Sequence, residues 1–99
     1  MSYQIRFSRD AEDDLGRLYA FQLERGIEVA ERALHAIVKS MELLRDFPFA
    51  CRKAAPDNPF LRELLITFGS SGYVALYEIE NDDTVTIVAV RHQLEDDYH

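Results

Sequence analysis

The chain has 99 residues, 47% apolar and 29% charged, a balance that fits one soluble globular domain spanning residues 1–99 and excludes a disordered or fibrous chain. A net charge of −7 leaves little basic surface, so direct nucleic-acid binding by the phosphate backbone is not expected, whereas a basic partner segment would be attracted. No apolar run approaches the roughly 18–20 residues that cross a bilayer, the opening MSYQIRFSRD has no apolar signal core, and the lone Cys51 excludes an internal disulfide; together these point to a cytoplasmic protein with no membrane association.

Tyr3–Phe7 alternates apolar and polar residues and predicts a short first strand. Ser8 is placed to cap a helix whose first turns carry Asp10, Glu12, Asp13 and Asp14, the charges that suit the positive end of a helix dipole. Ala11, Leu15, Leu18 and Phe21 recur every three or four residues as the buried face, with Tyr19 and Leu23 widening it. Gly26 is expected to end the helix in the left-handed conformation. A second helix runs from about Ile27 to Asp46. Its seam is Ile27, Ala30, Leu34, Ile37, Met41 and Leu44, and a second apolar edge is formed by Val29, Ala33, Ala36 and Leu43. Either the two edges face the sheet and the first helix, or one is left for a partner. Pro48 stops the helix.

Phe49–Pro59 reads as a loop with two prolines and the only adjacent basic pair, Arg52-Lys53. Three runs rich in β-branched and aromatic residues follow, Phe60–Phe68, Tyr73–Ile79 and Thr84–Val90, separated by Gly69–Gly72 and Glu80–Asp83. They predict an antiparallel meander. With strands and helices segregated, the fold class is α+β: a short N-terminal strand and a two-helix hairpin packed on a mostly antiparallel β-sheet. In period-two alternation Val85, Ile87, Ala89 and Arg91 share one face of the last strand, while Val88, Val90 and His92 share the other. Both sheet faces are largely apolar, so the face away from the hairpin is a candidate partner surface.

Chemistry-bearing patterns are few. His35, His92 and His99 have no ligand spacing and Cys51 has no CxxC mate, so no metal or other cofactor is expected. GSSG at Gly69–Gly72 is short, lies between two strands, and suits a hairpin turn better than a phosphate loop. The remaining constellation is Arg62, Arg91 and His92 with the acidic tail Glu95, Asp96 and Asp97. If one sheet end carries both arginines, they could clamp phosphates or acidic partner residues, or pair with the tail inside the chain.

LREL at Leu61–Leu64, GYVALYEI at Gly72–Ile79 and AVRHQ at Ala89–Gln93, set in this element order, resemble the ParE branch of the RelE/ParE toxin superfamily over essentially the whole chain. The resemblance implies the toxin of a bacterial toxin–antitoxin operon, or plasmid stabilisation protein, neutralised by a ParD-like antitoxin and inhibiting DNA gyrase without a reaction or cofactor of its own. Target contacts are then expected at Arg62, Arg91, His92, Gln93, Leu94 and Tyr98. Antitoxin contacts are expected at Leu18, Tyr19, Leu23, Val29, Ala33, Leu65, Val74 and Leu76. The sister branch, similar to RelE, cleaves mRNA on the ribosome with sheet lysines and arginines and a C-terminal tyrosine. Here its arginine position is Val74 and its lysine positions are Glu63 and Leu65; only Tyr98 keeps a counterpart. That argues against an endoribonuclease, the alternative reading. A third is an inactive homologue that keeps only antitoxin binding. One departure stands out: relatives often carry a basic residue after RHQ, and this chain has Leu94. If a basic residue there contributes to target binding, the resemblance implies a weakened copy.

Overall fold

In a computed structural model that describes residues 2–93, the order is β1 (Gln4–Phe7), α1 (Arg9–Leu23), α2 (Ile27–Met41), β2 (Arg52–Ala55), β3 (Asn58–Phe68), β4 (Ser71–Ile79) and β5 (Thr84–His92). A 3₁₀ turn over Glu42–Arg45 extends α2. The sheet order is β1-β5-β4-β3-β2, with β1 parallel to β5 and every other pairing antiparallel. The helical hairpin covers one face, α1 against β5 and α2 against β3. The expected α+β architecture is what forms. No helix among the described residues is long and apolar enough to cross a membrane.

Ser8 caps α1 as its side chain predicts, accepting from the Ala11 N–H at 3.1 Å. The buried face of α1 is Ala11, Asp14, Leu18 and Gln22; Phe21, expected inside, is 58% exposed. The spacing of three and four residues holds, but two of its positions are polar. Ile27, at the start of the predicted seam of α2, is also exposed, and the seam is carried by Ala30, Ala33, Ile37 and Met41. Gly26 has φ 126° and ψ 149°, a positive-φ extended backbone and not the left-handed helical one. It is the last of the three residues, Glu24 to Gly26, that turn the chain from α1 into α2, and as the cap of α2 it holds a positive φ that glycine takes most cheaply.

The segment read as a loop contains β2. Arg52 and Lys53 pair with Glu63 and Arg62, giving β3 a neighbour on its outer side. Turn residues on both sides of a four-residue strand hide it from periodicity. Phe68 pairs with Ser71, so the β3–β4 turn is the two residues Gly69-Ser70. Gly69 has φ 65°, the requirement of the first position of a type II′ turn.

β5 departs from simple alternation. Leu76 and Tyr77 are adjacent in β4 but face Ala89 and Ile87, which leaves Val88 as an extra residue. This bulge shifts the phase of the strand. Val85, Ile87, Val90 and His92 therefore oppose the inward Ile79, Tyr77, Ala75 and Tyr73, whereas Ala89 and Arg91 oppose the outward Leu76 and Val74. The predicted facing of β5 is correct up to Ile87 and inverted beyond it. The core between sheet and hairpin is built from Ile37, Leu44, Ile66, Tyr73, Tyr77, Val85, Ile87 and Val90, all fully buried.

Candidate functional site

β5 has β1 beside it only from Thr84 to Ile87. Past that point its outer edge would be bare, and α1 closes it. The Ser8 N–H donates to the Ile87 carbonyl at 2.9 Å, Ser8 Oγ donates to the Val88 carbonyl at 3.1 Å, and the Val90 N–H donates to Asp14 Oδ2 at 2.9 Å. The same carboxylate oxygen accepts from the Arg91 guanidinium, and Arg17 lies 3.9 Å from its other oxygen. Arg91 thus reaches around the strand edge to a half-buried ion pair. Its partner is Asp14. The tail carboxylates proposed as partners, Glu95, Asp96 and Asp97, lie outside the described residues, as do Leu94 and Tyr98.

His92 points to the hairpin side, where its ring meets Tyr73 edge-on at 5.5 Å and its Nε2 is 3.1 Å from Ser71 Oγ. Tyr73 is buried and accepts at its hydroxyl from Gln22 Nε2 at 2.9 Å, while Gln22 Oε1 has no hydrogen-bond partner among the described residues. Gln93 continues the ladder by donating its N–H to the Gly72 carbonyl at 2.8 Å. Gly72 must be glycine, because a Cβ there would overlap the Ile66 carbonyl oxygen. Arg91, His92 and Gln93 are accordingly brought together at one sheet end, on a rigid seat supplied by α1, β3 and β4.

Arg62 is not part of this constellation. β3 and β5 run in the same direction because each is antiparallel to β4. The start of β3 therefore lies at the opposite end of the sheet from the end of β5. Arg62 is occupied there: its Nε donates to the Pro59 carbonyl at 2.7 Å, its Nη1 to those of Cys51 at 2.8 Å and Phe49 at 3.1 Å, and its guanidinium lies over the Phe49 ring. It ties down the chain on both sides of β2. Nearby, the buried Tyr77 hydroxyl donates to the Pro48 carbonyl at 2.6 Å, and burial, reinforced by Cys51, pushes its phenol above the ordinary range.

Of the hairpin and sheet residues named for antitoxin contact, Leu18 and Ala33 are core residues and offer no surface. Val74 lies on the open face but is buried between its register neighbours Leu65 and Arg91. Leu23 is exposed, and Val29 and Leu76 are half-buried. Tyr19 bridges the hairpin by donating to Glu31 at 2.6 Å, a bond that holds its phenol above the usual range. Leu65 is 52% exposed in the middle of the face away from the helices. On that face β3, β4 and β5 present Leu61, Glu63, Leu65, Thr67, Val74, Leu76, Glu78, Thr86, Ala89 and Arg91. Its one cation among these, Arg91, is neutralised by Asp14, and Glu63 pairs with Arg52 at 2.8 Å.

Asp14 and Gln22 are the supporting residues that sequence reading missed, as it missed the bond from the capping Ser8 to the Val88 carbonyl. The signal was present: Asp14 and Gln22 fall on the three- and four-residue spacing of Ala11 and Leu18, and a polar residue at a core position needs a partner across the interface.

Residues 5–97 match the family described as ParE toxin of type II toxin–antitoxin system, parDE. A relative from Caulobacter vibrioides, Toxin RelE3, is 34% identical over 85 residues, covering 86% of this chain and 88% of its own. Among solved structures, the chromosomal ParDE system of P. aeruginosa superposes with a TM-score of 0.72 at 20% identity, covering 92% of this chain and 96% of that one. The RelBE2 toxin–antitoxin complex from Mycobacterium tuberculosis gives 0.65 at 23% identity, covering 94% and 100%. These two likenesses establish the fold.

Proposed function

Because the chain belongs to the ParE toxin family of type II toxin–antitoxin systems, we propose that it poisons DNA gyrase by binding and is held inactive by a ParD-like antitoxin. The observation that carries this reading is the composition of the open sheet face. Cleaving a phosphodiester requires groups that stabilise charge developing on phosphate and that move a proton. Leu65 and Val74 supply neither, Glu63 carries the wrong charge to stabilise phosphate and is paired with Arg52, and Arg91 is already paired with Asp14. A face that is apolar at its β3–β5 centre, with Arg91 and Glu63 each paired and Arg6 and Arg52 only at its margins, is suited to contact a protein.

Within this reading the target surface is Arg91, His92 and Gln93, continued by Leu94 and Tyr98. The antitoxin covers Leu65 and Leu76 on the open face and Tyr19, Leu23 and Val29 on the hairpin. The Caulobacter relative bears a RelE name, which favours mRNA cleavage as the competing reading. Induced expression without antitoxin, followed by a gyrase supercoiling assay and primer extension on cellular mRNA, separates the two. Lost supercoiling with intact transcripts is expected; cleaved transcripts would overturn the proposal, and unimpeded growth would mark an inactive copy. Leu94→Arg tested beside the parent reads the contribution of that position.

A further inference from the structure

At the end of the sheet opposite Arg91, an open groove of about 580 Å³ is lined by Tyr3, Phe49, Asn58, Phe60, Glu78, Ile79, Glu80, Asn81 and Asp82. Its floor is aromatic. Phe49 and Phe60 meet edge-to-face with centroids 6.1 Å apart, yet each remains about half exposed, at 47% and 50%. Isolated surface aromatics are unremarkable, but a paired set in a concavity is the composition of a docking site. Its rim is acidic. Glu78, Glu80 and Asp82 make no ion pair with any described residue.

The rim is also held in place. In the β4–β5 turn the Glu80 N–H donates to the Thr84 carbonyl at 2.9 Å, the Asp83 N–H donates to Asn81 Oδ1 at 2.9 Å, and Thr84 Oγ1 donates to Asp83 at 2.8 Å. A partner meeting this turn does not have to order it first. Carboxylates lining the same groove as aromatic rings favour a cation on an aliphatic stem, because the stem can pack on the rings while the head group meets a carboxylate. The chain's own Arg62 shows this chemistry, its guanidinium 5.3 Å from the centre of the Phe49 ring. Phosphate-bearing partners are repelled by the same rim. The net charge of −7 adds a long-range attraction for a basic chain.

We propose that this groove docks a basic segment of the antitoxin, arginines or lysines interleaved with apolar residues, as an anchor at the far end of the sheet from Arg91 that meets the open sheet face at Glu78. The inference rests on the reading of the chain as the toxin of a toxin–antitoxin pair. The test is binding of the antitoxin encoded beside this gene to the parent chain, to the triple variant Glu78→Gln, Glu80→Gln, Asp82→Asn, and to Phe60→Ser, at roughly 50 to 500 mM salt. Leu65→Asp reports the sheet face independently. A short peptide alternating arginine and leucine, with its glutamate counterpart, serves as competitor. Expected are a loss of about tenfold or more in affinity for the triple variant with a flatter salt dependence, a loss for Phe60→Ser with the salt dependence kept, and competition by the arginine peptide only. Unchanged affinity and salt dependence in the triple variant, while Leu65→Asp weakens binding, would overturn the groove and leave the toxin–antitoxin reading standing. No binding to the parent chain would overturn both. A parent chain that dimerises alone, with the dimer dissolved by the triple variant, would give the groove to a second copy and likewise overturn the proposal.

Discussion

Replacing Asp14 with alanine tests the central claim about how α1 and β5 are joined. The carboxylate is buried, accepts from the Val90 N–H and pairs with Arg91, whose side chain is 25% exposed. Losing the acceptor leaves a buried amide unsatisfied, which costs about 1–3 kcal/mol. The ion pair, open to solvent at its arginine end, adds at most about 1 kcal/mol. The sum is roughly 1–4 kcal/mol, which at about 4–8 °C per kcal/mol for a chain of this length lowers Tm by roughly 5–30 °C. Asp14→Asn keeps an oxygen for Val90 and loses only the charge, so about 1 kcal/mol is expected. Urea denaturation of Asp14→Ala, Arg91→Ala and the double variant gives a coupling of about 1 kcal/mol if the pair forms in solution. Amide exchange at Val90 should accelerate in Asp14→Ala beyond what its global stability explains. A loss within about 0.5 kcal/mol, the range of an ordinary surface substitution, would refute the account of Asp14 as the edge closure.

Three further substitutions probe the frame, two beside the candidate target surface and one at the opposite end of the sheet. Gly72→Ala places a Cβ against the Ile66 backbone carbonyl, an obstacle that cannot rotate away; a destabilisation of about 2–4 kcal/mol is expected in thermal melts. Ser8→Ala removes both the α1 cap and the bond to the Val88 carbonyl, costing about 1–2 kcal/mol by urea denaturation. Tyr77→Phe loses the bond to Pro48 and about 1 kcal/mol near neutral pH. Because burial raises the folded phenol above its ordinary value of 10.0, the unfolded chain ionises first as pH rises. The contribution of Tyr77 is therefore intact below pH about 10 and lost above it. Denaturation midpoints across roughly pH 8 to 11 should fall less steeply in Tyr77→Phe than in the parent chain.

The parts of this fold legible in the sequence are those with long, uninterrupted periodicity. The meander, the two helices and the Ser8 cap follow from alternation, three- and four-residue spacing and one hydroxyl in the right place. What escaped was set by tertiary contact. β2 is a strand because β3 offers it a free edge, and nothing in RKAA requires it. Asp14 and Gln22 are buried because Arg91, Val90 and Tyr73 lie across from them. The misplacement of Arg62 beside Arg91 was a different kind of error, since two antiparallel pairings in succession return a strand to its first direction. Strand order alone was enough to separate them.

The Val88 bulge decides what the candidate target surface contains. In unbroken alternation Arg91 would share a face with Val85 and Ile87, pointing into the core, and His92 would be turned out with Val88 and Val90. The extra residue reverses both. It falls just past the end of β1, where Ser8 begins α1 and holds the Ile87 and Val88 carbonyls. A strand that loses its neighbour at that point has backbone groups to satisfy, and the helix start satisfies them only if β5 bends there. The bend then brings the Val90 N–H to Asp14, and Arg91, on the outer face, can reach the same carboxylate around the edge. One unpaired residue thus sets a neutralised arginine on the open face and a histidine against Tyr73 behind it. An inhibitor that works by surface contact can use that arrangement, whereas a nuclease would have to spend the arginine at the centre of its strand end on holding two elements together.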